Sequence, residues 1–174
     1  GFSREDLVEE DTPKGRFLFS RSVINSGDTA SLLAEMIVDI LNHFPWPKSQ
    51  RWNRGKFRWV RPLHRINILF DGNPLAGALD LGGGDAITFG AASCGHYFEA
   101  PDDIDLAGVT SLDDVKARLR AGYVMLDQDE RHDAIISEAK KLAASQLCHL
   151  NETQLGSYLA DIAGLVEWPT PLMG

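Results

Sequence analysis

The 174-residue chain carries 25 Asp and Glu against 17 Lys and Arg, giving a formal charge of −8, so any polyanion contact must be a local patch on an acidic body. No run of 18 apolar residues occurs and the N-terminus has no signal-like arrangement, which argues against membrane association. Two cysteines, Cys94 and Cys148, form neither a disulfide framework nor a CxxC site, so a reduced, cytoplasmic setting is expected.

The length suits one large or two small domains. Residues 1–13 read as the tail of an earlier element plus the acidic linker Val8-Glu9-Glu10-Asp11-Thr12-Pro13, and residues 14–174 as a single α+β domain. A strand is expected from Arg16 to Ile24, stopping at the turn Asn25-Ser26-Gly27-Asp28. Asp28 or Thr29 then caps a helix to Phe44, with positions 33, 36, 37, 40, 41 and 44 forming its inward stripe. Pro45 and Pro47 end it and lead into the most unusual stretch of the chain.

Residues 45–65 hold seven of the 17 Lys and Arg, three of the four Trp, and no Asp or Glu. Without those seven cations the chain would stand at −15. Arg and Lys neutralise phosphates, and exposed Trp and Phe offer faces for base stacking, so the strip points to RNA or single-stranded nucleic acid. The same composition also builds a core edge with charged stems lying over it.

A strand follows over Leu63 to Phe70. Asp71-Gly72 signals a hairpin whose return strand runs from Pro74 to Leu79. Gly82-Gly83-Gly84 lacks the Lys-Ser/Thr of a phosphate loop and reads as a flexible connection. Ala86 to Ala92 is a possible strand leading to Cys94-Gly95-His96, where His96 could offer a hydrogen bond to a phosphate, ribose or carbonyl. A possible edge strand covers Ile104 to Leu106. Ser111 caps a short helix ending at Gly122, with Val115 and Leu119 inward, and Tyr123 to Leu126 is a short strand. A long helix is expected from Asp129 to about Leu147, with Ile135, Ile136, Ala139, Leu142 and Ala143 inward. A last helix, capped by Asn151, carries Leu155, Tyr158, Leu159 and Ile162 inward and ends at Gly164 before a strand over Leu165 to Trp168.

These elements give an α+β fold, a mixed or mainly antiparallel sheet covered by helices. No catalytic residue and no metal site is assigned. His132-Asp133 lacks the further ligands that a metal pair needs, and Cys94 lacks a base at a telling position. Glu167, between Val166 and Trp168, is read as a partly buried carboxylate in a structural ion pair with an Arg of the basic strip.

Five collinear segments carry a resemblance. They are Trp46-Pro47-Lys48-Ser49-Gln50-Arg51-Trp52, Phe57 to His64, Gly95-His96-Tyr97-Phe98, Asp127 to Arg131, and Leu165-Val166-Glu167-Trp168-Pro169. Together they resemble the beta subunit of the bacterial heterotetrameric glycyl-tRNA synthetase. The resemblance implies an internal piece from that subunit's N-terminal half, similar in fold to the B3/B4 module of phenylalanyl-tRNA synthetase beta chains. It implies a tRNA-facing, non-catalytic role, with tRNA(Gly), the alpha subunit and a second beta subunit as partners. ATP and Mg²⁺ would act on the alpha subunit, which makes glycyl-adenylate, and no cofactor is expected here. RNA-facing candidates are Lys48, Arg51, Trp52, Arg54, Arg58, Arg61, His64, Gly95 and His96. Cys94 and Tyr97 stand where relatives usually carry Arg, and Asn53 where they usually carry Gly. Two alternatives stay open: an editing pocket near His96 that deacylates mischarged tRNA, and a purely structural interaction module.

Overall fold

Thr12-Pro13-Lys14-Gly15 reverses the chain at its start, with Gly15 at φ +119° where a side chain would be strained. The computed structural model describes residues 7–20 and 27–173. The turn joins β1 (Leu7–Thr12) to β2 (Gly15–Ser20) in antiparallel register, Leu7 opposite Ser20 and Thr12 opposite Gly15. The acidic run expected within a linker is therefore a strand, with Arg16 bridging to Glu9 at 3.4 Å and to Asp11 at 3.3 Å across the pair. The far end of the strand expected to reach Ile24, and Asn25-Ser26 of its turn, lie outside the described residues.

Asp28 caps α1 (Thr29–His43) by accepting from the Ser31 N–H at 3.0 Å, and Phe44, extended before Pro45, closes it. The buried face differs from the expected stripe. Ala34 is buried with Ala30, Leu33, Val38 and Leu41 beside it, while Met36, Ile40 and Phe44 remain about half exposed. The reason is a close approach of small residues: a Cβ built on Gly77 would stand 3.6 Å from the Ala34 Cβ. The helix settles on its alanines and turns the larger side chains outward.

Beneath α1 lies a three-stranded sheet in which β7 (Asp85–Gly90) pairs antiparallel with β6 (Ala78–Gly82) and parallel with β3 (Ile66–Asn67). Leu79, Leu81, Ile87 and Phe89 alternate inward along β6 and β7 and form the core with Ala34, Phe57 and Leu75. The expected Leu63 to Phe70 strand is only β3 and β4 (Leu69–Phe70). β4 turns through Asp71 (φ +50°) and Gly72 (φ +74°) into β5 (Asn73–Pro74), and two positive φ angles mark the type I′ hairpin that Asp-Gly announces. Gly82, Gly83 and Gly84, at φ +79°, +70° and +90°, are the tight β6–β7 turn rather than a flexible connection. β8 (Ala92–Cys94) and β9 (Asp103–Asp105) pair antiparallel, and Arg65 ties β3 to them through Asp103 at 2.7 Å.

The remaining helices are α2 (Leu112–Ala121), α3 (Gln128–Ser145) and α4 (Glu152–Leu165), capped by Ser111, Asp127 and Asn151. α3 packs against α4. The buried line of α4 runs through Leu159 and Ala163, so Tyr158 and Ile162, expected inward, are 70% and 42% exposed on its flank.

Neither expected strand at 123–126 or 165–168 forms. Tyr123 takes φ +57°, and α4 runs on to Leu165, leaving a single ladder-like bond from Met125 N–H to the Glu167 carbonyl at 2.9 Å. Arg131 instead holds the carbonyls of Met125 (2.5 Å), Leu126 (2.8 Å) and Ala163 (2.7 Å).

Lys116 of α2 joins the cap of α3 at 2.9 Å from Asp127. That hydrogen bond, followed by those from the Glu130 and Asp129 N–H groups, holds the Asp127 carboxyl below the usual carboxylate range. A folded value below the unfolded one, near 3.9, makes this contribution complete above about pH 4 and lost as pH falls through the folded value. Asp127→Asn keeps a capping side chain without the charge. Urea midpoints of the two proteins are therefore expected to differ at pH 6 and to converge as pH falls through the folded value.

Candidate nucleic-acid interface

The basic strip is held from below by its own aromatics. Trp46, Phe44 and Trp59 meet with centroids 4.6–5.5 Å apart, Phe57 stacks on Trp59 at 6.0 Å, and Trp52 meets the edge of Phe57 at 5.8 Å. Phe57 is buried, and Trp52 and Trp59 pack against the core. Of the two readings open in the sequence, the core edge describes Trp52 and Trp59, and the displayed charge describes Arg54 and Lys56 between them with Lys48, Arg51 and Arg61 to either side.

The strip is pinned at three places. Gln50 and Trp59 exchange N–H···O bonds of 2.8 and 3.1 Å. Asn53 Oδ1 accepts from the Gly55 N–H at 2.7 Å, an Asx turn that sets the backbone at Arg54. Gly55 then passes so close to β6 that a Cβ there would stand 1.7 Å from the Leu81 carbonyl oxygen.

The seven cations divide by what they touch. Arg65 is committed to Asp103 and to the carbonyls of Ala92 and Ser93. Arg58 donates to the Ser49 carbonyl at 2.6 Å and to its hydroxyl at 3.2 Å, so this RNA-facing candidate first serves the loop. Lys48, Arg51, Arg54, Lys56 and Arg61 are exposed and, among the described residues, have neither an ion-pair partner nor a side-chain hydrogen bond. His64 is likewise exposed at the strip's far end. Away from the strip, Arg16, Lys116, Arg120, Lys140 and Lys141 all meet carboxylates.

Gly95 and His96 build a turn of their own. A Cβ on Gly95 would meet the Ala100 carbonyl oxygen at 2.1 Å, and His96 Nδ1 accepts from the N–H groups of Phe98 and Glu99 at 3.3 and 3.2 Å. No hydrogen bond or ion pair joins this turn to the strip among the described residues. Glu167 is exposed, contributes its carbonyl to Met125, and makes no ion pair with the strip among the described residues.

Sequence reading passed over Lys56 as a candidate, although it lies between Arg54 and Arg58. It also passed over Phe44, whose signal is its place between a helix end and Pro45.

By fold and site, then, the chain is an acidic body of helices and small sheets that carries, among the described residues, five unpaired cations along residues 48–61. It belongs to the glycyl-tRNA synthetase beta subunit family, whose family model matches residues 1–174. Its relatives include proteins named glycine–tRNA ligase beta subunit from Ruegeria sp., Paracoccus denitrificans and Dinoroseobacter shibae, at 41%, 40% and 39% identity over the whole chain. The chain spans about a quarter of the length of these relatives, 24%, 24% and 23%. The resemblance carried by the five segments thus extends over all 174 residues.

Proposed function

We propose that this chain is a tRNA-facing, non-catalytic domain of a glycine–tRNA ligase beta subunit, supporting ATP-dependent attachment of glycine to tRNA(Gly) by holding the tRNA. The observation that carries the reading is the set of five unpaired cations, Lys48, Arg51, Arg54, Lys56 and Arg61, fixed on a rigid aromatic base in a chain of charge −8. Such groups normally find carboxylates on an acidic protein, and leaving them free suits a phosphate backbone. Within this reading, glycyl-adenylate formation with ATP and Mg²⁺ belongs to the alpha subunit, and two alpha and two beta subunits assemble in the cytoplasm. Among the described residues, no group of three or more His, Cys, Asp or Glu could hold a metal ion, and no helix is long and apolar enough to cross a membrane.

Titration of the chain with glycine tRNA and with an unrelated tRNA across a salt series tests this. Five phosphate contacts correspond to a slope of log affinity against log salt of about −4. Absence of binding at low salt would overturn the reading and assign the cations to neighbouring protein.

The editing alternative places chemistry at His96, whose Nδ1 is already occupied by the turn. His96→Ala is expected to leave any deacylation of mischarged tRNA unchanged. It should lower stability by about 1 kcal/mol, because two N–H groups lose their acceptor. A deacylation rate that drops in this variant while the fold survives would restore the editing pocket.

A further inference from the structure

Under the strip, between the end of α1 and the β6–β7 turn, lies an open groove of about 750 Å³, within the range that holds small ligands. We infer that it accepts one unpaired nucleotide of the bound RNA, with its phosphate on Arg54 and Lys56 and its base against Phe44; this rests on the RNA-facing reading above.

Three features of the lining support that occupant. Arg54 and Lys56 bring two unpaired cations to one rim. Phe44 leaves 45% of its surface exposed despite its contacts with Trp46 and Trp59, which leaves aromatic surface for a base to pack against. The carboxylate in the lining, Asp80, spends Oδ1 on the Gly82 N–H at 2.7 Å, which leaves Oδ2 to accept from the amine of a base. A paired duplex offers phosphates to the cations but no free base to Phe44, so the groove separates unpaired from paired RNA.

The test compares a blunt RNA duplex, the same duplex with a 3′ tail of four cytidines, and one with four uridines. Binding is read from tryptophan fluorescence at fixed salt. The cytidine tail is expected to raise affinity about tenfold over the blunt duplex. Phe44→Leu should remove that gain without altering blunt-duplex affinity, and Phe44→Tyr should restore it. The uridine tail, with no exocyclic amine for Asp80, should gain less, and Asp80→Asn should erase the difference between the tails.

If both duplexes bind through Arg51 and Arg61 but the tail adds nothing, the groove assignment falls and the phosphate-binding surface stands. Failure of every RNA to bind at low salt removes the surface and the groove together. Free GMP binding as tightly as the tailed duplex would also overturn the assignment, making the groove a site for a diffusible nucleotide.

Discussion

Reversing Arg51 and Arg61 to glutamate together is expected to weaken tRNA binding about 40-fold or more at 0.1 M salt while leaving the fold intact. Both side chains are exposed and unpaired, so their replacement removes no internal contact and should shift stability by no more than about 0.5 kcal/mol. Each phosphate contact contributes about 0.7–0.9 to the salt slope, so losing two flattens it by roughly 1.6 and weakens affinity about 40-fold at 0.1 M salt. Repulsion between the new glutamates and the phosphates adds to that loss. Arg61 and Lys48 line the same shallow depression with Gln50 and Val60, so a glutamate at 61 also offsets the charge of Lys48. Filter binding across a salt series, with circular dichroism on the same samples, reads both effects. Unchanged affinity in a folded variant would place any tRNA contact elsewhere.

Gly55→Ala should be the most damaging single methyl group in the strip. Its Cβ would stand 1.7 Å from the Leu81 carbonyl oxygen and 2.6 Å from the Gly82 Cα, both backbone atoms that cannot swing aside. Either the Asn53–Gly55 turn lifts off β6 or the β6–β7 turn is pushed away, and both movements strip cover from Phe57 and Leu81. Overpacking of this kind costs about 3 kcal/mol, and for a chain of this size that lowers Tm by roughly 6–12 °C. Gly27→Ala is the control, since nothing lies within 4 Å of its Cβ. Equal melting temperatures for the two variants would show that the close contact does not hold the strip. Because Gly55 separates Arg54 from Lys56, the same substitution should also weaken RNA binding through displaced cations.

Local signals were legible in the sequence where one residue decides a geometry. Asp28, Ser111 and Asn151 each accept the backbone N–H that a cap requires, and Asp71-Gly72 turns as its two residues dictate. Signals failed where distant residues decide. Which face of α1 is buried depends on Gly77, more than thirty residues away, meeting Ala34. The apolar runs at 123–126 and 165–168 look like strands, but Arg131 takes up the carbonyls of Met125 and Leu126, and α4 runs on to Leu165. At the candidate surface, the excess of cations was visible in composition. Their freedom was not, because it depends on where the fold sends 25 carboxylates, and Arg58 and Arg65 were sent to structural posts. Nor could the sequence say that Trp52 and Trp59 turn inward.

The pinning of the strip also bears on the speed of association. Free positive charge gathered on one loop of a net-negative body gives the molecule an electric dipole, with the loop at its positive pole. A polyanion drifting toward any other face is repelled, and the torque between them turns the loop forward before contact is made. Because the loop is already ordered by Gln50, Asn53 and the stacked rings, little chain entropy remains to be lost at the encounter. On the RNA-facing reading, collisions would thus be sorted by orientation at a distance, and added salt would slow capture as well as weaken binding.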